Sequence, residues 1–212
     1  MNIIYLKRDL SKDQADAIIA TGEVAVDTEL TGLDVKSDRL CLVQLRGAGS
    51  DDFYLVQIQN KNGAEYPNLC RVLTAPNVPK IFHYARMDMC MLFKRLGVFP
   101  APVFCTKIAV LLARPKKGHA LHNVLHEVLG IDLDPEMKAE TLSDWTRDLT
   151  KKQQLYAATD VLYLHDLKRI LADMLIDVNR SITAQACFDF LPIRCRLDLD
   201  WGERDIFAYN PK

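Results

Sequence analysis

A short β run that ends in two carboxylates constrains this chain more than any other feature. The stretch EVAVDTEL has the apolar, β-branched character of a buried strand, and one residue separates its acids, Asp27 and Glu29. Alternate residues of a strand share a face, so the two acids point to one place and Val24, Val26 and Thr28 take the other face. Two like charges this close need a shared proton or a cation, and oxygen ligands suit Mg²⁺ or Mn²⁺. The alternative is two surface acids that flank a threonine by chance.

The composition indicates one soluble domain that covers residues 1–212. The chain has 49% hydrophobic residues, and no run approaches the roughly 18 consecutive apolar residues that a membrane span requires. The first residues, MNIIYLKRD, lack the apolar core and the cleavage site of a signal peptide. The six cysteines form no C-x-x-C pair, as is typical of reduced core thiols. We therefore expect a cytoplasmic protein without a membrane partner.

The charge balance argues against a large positive surface. The chain has 27 basic and 28 acidic residues, whereas affinity for a long nucleic acid depends on many contacts between cations and phosphates. If the protein acts on nucleic acid, we expect a local basic pocket or a short substrate.

The order of the apolar runs predicts an α/β domain built on a mixed sheet. The predicted strands are an edge strand within residues 1–10, the acid-bearing strand, the runs 40–45 and 53–58 that form an antiparallel meander, and 80–83. The predicted helices are 11–20, which Ser11 caps, 66–73, 85–96, and a helical pattern from Phe104 onwards with breaks near 114–118 and 132–135.

A further acid follows the predicted strand 80–83. In the run KIFHYARMDMCML the strand passes into a helix whose first turn carries Arg86 and Asp88. Ligand crevices of α/β sheets lie at strand ends, so Asp88 is placed to reach the same point as Asp27 and Glu29. The alternative is an acid that the macrodipole stabilises near a helix N-terminus.

The third constellation lies on a predicted helix. Tyr156 and Asp160 are four residues apart and share a helical face, and neighbouring alanines allow close packing against the sheet. A core helix with one buried tyrosine and a capping acid would explain this stretch on its own. That explanation weakens because D-x-E, Asp88 and Y-x-x-x-D occur together in this order.

The three stretches VDTE, HYARMD and YAATDV resemble the exonuclease motifs of the RNase D-like 3′–5′ exonucleases, the tyrosine branch of the DEDD superfamily. Ser143, Asp144 and Trp145, followed by Arg147 and Leu149, also resemble the segment before the third motif. The resemblance implies a ribonuclease H-like fold, with a mixed sheet of five or six strands flanked by helices. It also implies a DEDD exonuclease domain that hydrolyses nucleotides from a 3′ end with two divalent ions, Mg²⁺ or Mn²⁺.

The same resemblance implies a role for each catalytic residue. Asp27 would bridge both ions, and Glu29 and Asp160 would complete the shell of the first ion. Asp88 would hold the second ion through water. Tyr156 would orient the attacking water, because a phenol with a pKa near ~10 is a poor base at neutral pH.

The later part of the chain resembles a compact bacterial group of the family, nano-RNase C, whose members degrade dinucleotides and assemble as ring-like octamers. The segments that carry this likeness are 104–109, 186–193 and 197–208. It implies a short RNA substrate, a 5′-phosphorylated dinucleotide, and a homo-oligomer. The tail 186–212 contains five aromatic residues, and we expect it to pack on its own domain or to form the oligomer interface.

A short substrate has to be held at both ends. Leu33 follows the acid pair at the place where related dinucleotide-degrading enzymes use a leucine as a wedge between the two bases. The alternative is a turn leucine tucked into the core. At the other end, His83, Arg86 or the basic turn 114–117 is expected to meet the 5′ phosphate, and that turn is alternatively a solvated loop.

Other sites and functions stay open at this point. His119, His122 and His126 share one predicted helical face and could hold zinc, or they form the polar stripe of an amphipathic helix. Among enzymes, the alternatives are RNase D-like RNA 3′-end trimming and DNA 3′–5′ exonuclease activity, because contacts with a 2′-hydroxyl leave no readable spacing. The alternative from another class is a non-catalytic nucleic-acid binding or assembly module.

Overall fold

Strands and helices alternate along the chain after an initial group of strands. The computed structural model describes residues 1–59, 65–114, 118–134, 143–202 and 206–208. The strands in these ranges are β1 (Asn2–Leu6), β2 (Val24–Leu30), β3 (Leu40–Gly47), β4 (Asp52–Gln57), β5 (Lys80–Phe82) and β6 (Val103–Cys105). The helices are α1 (Lys12–Ala20), α2 (Pro67–Thr74), α3 (Ala85–Leu96), α4 (Thr106–Ala113), α5 (Leu121–Leu129), α6 (Lys151–Leu162), α7 (Leu164–Asp177) and α8 (Ser181–Trp201).

The strands of these ranges form one mixed sheet in the order β1-β4-β3-β2-β5-β6. β2 lies inside the sheet, antiparallel to β3 and parallel to β5. β3 and β4 continue the antiparallel meander, and β1 pairs with β4 in parallel at one edge. Ser11 caps α1 through a reciprocal capping box with Gln14. The predicted α/β fold, the meander, the edge strand and the capped first helix are all confirmed.

The carboxyl end of β2 is paired on one side only. β5 has three residues and pairs with β2 at Val24 and Ala25. β3 pairs along the whole of β2 and places Gln44 opposite Asp27. Because β5 stops early, the end of β2 that carries Asp27 and Glu29 has space beside it for side chains from helices.

Helices cover both faces of the sheet around β2. Val24 and Val26 are buried in one cluster with Met89 of α3. Ala25, which points the opposite way, is buried in a second cluster with Ala158 of α6. The strand alternation therefore presents one face of β2 to α3 and the other face to α6.

One strand was missed by the sequence analysis. The chain was expected to be helical from Phe104 onwards, but Val103–Cys105 pairs in parallel with β5 as β6. The strand is short and runs directly into α4, so its apolar residues continue the apolar face of the helix. Periodicity does not separate a buried three-residue strand from a following helix. Six strands are at the upper end of the predicted five or six.

The expected tail is largely one long helix. α8 has 21 residues and packs against α3 and β6, with Phe188 and Leu191 buried. Trp201 and Phe207 remain more than half exposed, and Tyr209 lies outside the described residues. The tail therefore covers its own domain in part, and its use in oligomerisation stays a prediction. Neither α8 nor any other described helix is long and apolar enough to cross a membrane.

Candidate active site

Two acids of β2 and one acid of α6 lie in one small group. Ligand oxygens of Asp27, Glu29 and Asp160 all lie within 4.8 Å of one another. β2 places its two acids on the face that α6 covers. Ala157 and Ala158 of α6 are fully buried against the sheet, so the helix comes close enough to bring Asp160 to β2. Within the described ranges, this is the group of acidic, histidine and cysteine side chains whose spacing suits a metal ion.

The fourth predicted acid approaches β2 from the opposite face. The Thr28 hydroxyl donates a hydrogen bond of 2.5 Å to Oδ1 of Asp88, which is buried in the first turn of α3. Thr28 points away from its neighbours Asp27 and Glu29, as the strand alternation requires. Asp27, Glu29 and Asp88 line one cleft of about 400 Å³. The four acids therefore flank the end of β2 from both sides, with Asp88 outside the close group of three.

Burial raises the pKa values of all four acids, and repulsion between carboxylates raises three of them further. Burial raises the pKa of Asp27 to about 7. The pKa values of Glu29, Asp88 and Asp160 lie well above their ordinary range. Burial is the larger cause, and repulsion from Asp27 adds to it. A cation bound between the acids would offset both causes. The residues present fit a hard divalent ion, because all their ligand atoms are oxygens and a cation would compensate the charge of their grouped carboxylates.

Two polar residues that the sequence analysis did not assign to the site hold its acids in place. Gln44 of β3 is fully buried, and its Nε2 donates a hydrogen bond of 3.2 Å to Oε1 of Glu29. Thr28 does the same for Asp88 from the other face. The signal for Gln44 was present in the sequence, since it interrupts the apolar strand LCLVQLRG. Its partner was not readable, because the pairing of β2 with β3 decides which acid it meets.

Tyr156 lies beside the acid group. Its hydroxyl forms a hydrogen bond with the Asp160 carboxylate, one turn further along α6. The ring of Tyr156 packs against Trp145, with 5.9 Å between the ring centroids. Trp145 is 3% exposed, so the tyrosine ring rests on a rigid buried surface.

Leu33 stands at the mouth of the cleft. Its side chain is 77% exposed and lines both the acid cleft and a neighbouring pocket of about 440 Å³. The alternative interpretation, a turn leucine tucked into the core, is therefore wrong. Tyr84 and Met87 line the same two cavities, so together with Leu33 they form the boundary between them.

His83 lines the acid cleft as an uncharged group. Its Nε2 donates to the carbonyl of His119 at 3.0 Å, and its Nδ1 lies 2.9 Å from the hydroxyl of Thr106. Burial lowers the pKa of His83 to about 4. Because the ring is neutral and both nitrogens have partners, the expectation that His83 supplies positive charge to a 5′ phosphate is not supported.

Arg86 lies outside the acid cleft. Its guanidinium donates two hydrogen bonds, of 2.6 and 2.7 Å, to the carboxylate of Asp198 in α8. It lines the neighbouring pocket together with Leu33. The structure therefore places Arg86 next to the predicted site and gives it a protein carboxylate as partner.

The remaining basic and histidine candidates that the structure describes lie outside the site. Arg114 pairs with Glu127 at 2.9 Å, and the rest of the basic turn, 115–117, lies outside the described residues. His126 pairs with Asp132 at 2.8 Å. The three histidines make no metal-binding group within the residues that the structure describes, so the zinc alternative has no support.

Comparison with known sequences identifies the family. The model of a 3′–5′ exonuclease family matches residues 3–176 of this chain. Ribonuclease D from Jannaschia sp. (strain CCS1) is 31% identical over 160 residues, which are 74% of this chain and 41% of that protein. The match spans only 37–46% of the length of eight ribonuclease D relatives.

Solved structures resemble the chain over nearly its whole length. A nuclease in its apo form is 43% identical, with a TM-score of 0.90, and the match covers 99% of this chain and 100% of that one. NrnC from Brucella melitensis, solved with bound Mg²⁺ and bound to pGG, is 39% identical, and the match covers 99% of this chain and 100% of that one. The TM-scores are 0.87 and 0.88. On the family match and this likeness, the chain belongs to the 3′–5′ exonuclease family, of the type represented by RNase D and NrnC.

Proposed function

We propose that this chain is a metal-dependent 3′–5′ exoribonuclease that hydrolyses short oligoribonucleotides, above all 5′-phosphorylated dinucleotides, to mononucleotides. The observation that carries the proposal is the group of Asp27, Glu29 and Asp160 within 4.8 Å, with Asp88 bound to the same strand from its other face. The Brucella melitensis relative supports the metal and the substrate class, since it has been solved with Mg²⁺ and with pGG.

Two divalent ions, Mg²⁺ or Mn²⁺, would be held by these four acids. Such a pair of ions lowers the pKa of a bound water and stabilises the leaving oxygen. Asp27, Glu29 and Asp160 would hold the ions from one face of β2, and Asp88, which reaches β2 from the other face, would complete the set of ligands. The hydrogen bond from Gln44 orients the carboxylate of Glu29, as partners outside the ligand set commonly do at metal sites.

The reaction is hydrolysis of the phosphodiester bond before the 3′-terminal nucleoside. The water oxygen forms a bond to phosphorus, the bond between phosphorus and the preceding 3′ oxygen breaks, and that oxygen receives a proton. The hydroxyl of Tyr156 forms a hydrogen bond with Asp160. We assign Tyr156 the role of orienting the attacking water. A phenol with a pKa near ~10 is too weak a base to take the proton at neutral pH.

Short substrates are favoured by Leu33 and by the charge of the chain. An exposed leucine at the mouth of the cleft can pack against either base of a dinucleotide without selecting its sequence. The net charge is −1, so added phosphates of a longer strand gain little electrostatic attraction. These features support a substrate that is bound by its two bases and by the acid site.

A side-by-side assay tests this proposal. Three substrates are compared at the same Mg²⁺ or Mn²⁺ concentration. They are a 5′-phosphorylated dinucleotide, a longer RNA, and a DNA of the same length as that longer RNA. We expect mononucleotides from the RNA dinucleotide at the highest kcat/KM. Comparable rates on longer RNA would favour RNase D-like 3′-end trimming, and a preference for DNA would favour a DNA exonuclease. Absence of metal-dependent hydrolysis would favour a non-catalytic nucleic-acid binding module.

We also propose a cytoplasmic homo-oligomer, an octamer by resemblance. The six cysteines are free thiols, as is usual in a reducing compartment. Exposed apolar side chains of the C-terminal segment supply contact surface, and they include Phe190, Ile193, Trp201, Ile206 and Phe207. Light scattering at micromolar concentration is expected to give a multiple of the chain mass, and a monomer would refute the assembly.

A further inference from the structure

The loop that carries Leu33 is tied to α3 by one ammonium group. Nζ of Lys94 donates hydrogen bonds to the carbonyls of Val35, Lys36 and Asp38, at 2.9, 2.7 and 2.8 Å. An ammonium has three N–H donors, so Lys94 uses all of them on one loop. Three carbonyls that converge on one cation fix the backbone between them.

The same loop is closed by its own side chains. The carboxylate of Asp38 accepts hydrogen bonds from the Thr31 hydroxyl at 2.8 Å and from the amide of Asp34 at 2.9 Å. The neck of the loop is joined by a bond of 3.1 Å from the Thr31 amide to the Arg39 carbonyl. A Cβ on Gly32 would lie 2.5 Å from Asp38, so glycine allows this carboxylate to sit inside the loop.

Leu33 projects from this loop with few contacts of its own. It is 77% exposed and lines the acid cleft and the neighbouring pocket. A side chain without core contacts keeps a fixed position only if its backbone is held. Lys94 supplies that hold from α3, the helix that also carries Asp88. Six residues of helix, about 9 Å along its axis, separate the two, so α3 sets how far Leu33 lies from the acids.

We propose that Lys94 is a positioning residue that determines substrate length through the loop of Leu33. The proposal deepens the proposed function and rests on it. With the loop held, the space between Leu33 and the acid site admits a dinucleotide in one position. Without the ammonium, the loop keeps its internal hydrogen bonds but is no longer fixed to α3, and short and long substrates are then bound alike.

The test compares Lys94→Ala, Leu33→Ala and the double variant. For each, kcat and KM are measured on a 5′-phosphorylated dinucleotide and on a hexanucleotide RNA. We expect Lys94→Ala to lower the preference for the dinucleotide about tenfold, through KM, because misplacement of a substrate-positioning group costs this much or more. The kcat on saturating dinucleotide should change less than about threefold, since all acids remain. In the Leu33→Ala background, removal of Lys94 should have no further effect on the preference.

Lys12→Ala serves as the matched control, because Lys12 forms an exposed ion pair with Asp16 on the surface of α1. It should leave the preference unchanged. If Lys94→Ala and Leu33→Ala each lower the dinucleotide preference and the two factors multiply in the double variant, the proposal is overturned. An equal fall in the kcat of Lys94→Ala on both substrates would also overturn it. If the wild-type protein prefers dinucleotides and the Lys94→Ala variant prefers them to the same degree, only the role of Lys94 is overturned. A wild-type protein without any preference would overturn the short-substrate function and this role with it.

Discussion

Arg86 and Asp198 form a two-bond ion pair that joins α8 to α3. Nε and Nη2 of Arg86 donate to the two carboxylate oxygens. Arg194 adds an ion-pair contact of 2.9 Å to the same carboxylate. Asp198 is 4% exposed, so its charge depends on these partners rather than on water. Since α3 also carries Asp88, the pair connects the C-terminal helix with the acid site.

Loss of this carboxylate is expected to destabilise the fold. Asp198→Ala leaves two arginines without their partner, and we expect the free energy of unfolding to fall by about 3 kcal/mol. Urea unfolding followed by circular dichroism measures the change. The control is Lys12→Ala, which breaks an exposed pair and should change the free energy of unfolding far less. Equal costs for the two variants would show that the pair of Arg86 and Asp198 is not a structural link.

Removal of an acid from the close group is expected to abolish hydrolysis. Asp27→Ala or Asp160→Ala takes away a proposed metal ligand and no core volume, so the fold should be retained. Hydrolysis is measured in Mg²⁺ and in Mn²⁺, with circular dichroism as the check on folding. Asp173→Ala, an exposed acid on α7, is the control and should be fully active. Full activity of either site variant would refute the assignment of the metal ligands.

The stability of the metal-free protein is expected to fall as pH rises. Burial raises the folded pKa of Asp27 from 3.8 to about 7, so the folded state holds the proton more tightly than the unfolded state. The unfolding free energy therefore decreases between pH values of about 4 and 7. A bound cation favours the deprotonated acids, so Mg²⁺ should raise Tm more at about pH 8 than at about pH 5. Thermal unfolding with EDTA and with Mg²⁺ measures this, and equal Mg²⁺ shifts at both pH values would contradict it.

Acids that share one strand or one helix were predictable from the sequence. Contacts of these acids with residues of other elements were not. Asp27 and Glu29 share a strand face, and Tyr156 and Asp160 share a helix face, by periodicities that neighbouring residues determine. The approach of Asp88 was harder to predict. It reaches β2 from the other face through Thr28, which depends on how α3 packs on the sheet.

Arg86 shows why sequence neighbours can mislead. It lies two residues before Asp88 and was expected to contact the substrate, yet its partner is Asp198, 112 residues away. Two residues apart on a helix do not share a face, and this limits what adjacency to a motif can indicate. Gln44 shows the opposite effect, since a residue outside the motifs reaches the site. The register of β2 with β3 brings it to Glu29 from 15 residues away.

Tyr156→Phe is expected to lower turnover and leave metal binding intact. The phenol ring keeps its packing on Trp145, and only the hydroxyl next to Asp160 is lost. We expect kcat to fall about tenfold to a hundredfold with KM nearly unchanged, since positioning of the water is lost and the acids remain. Steady-state kinetics together with calorimetric Mg²⁺ titration separates the two effects. An unchanged kcat would remove the role assigned to the tyrosine and leave that of the acids.

Leu33→Ala is expected to weaken binding of a dinucleotide more than binding of a longer RNA. A dinucleotide has two bases, so loss of the apolar contact at the cleft mouth removes a large share of its binding energy, whereas a longer strand keeps its further contacts. We expect KM for the dinucleotide to rise about tenfold, which corresponds to about 1.4 kcal/mol, with little change in kcat. Ile176→Ala, which truncates an exposed apolar residue on α7, is the control. Competition between a 5′-phosphorylated dinucleotide and a five- to ten-nucleotide RNA measures the preference directly. If both are degraded equally well and Leu33→Ala affects them equally, the wedge is wrong and general 3′-end trimming takes its place.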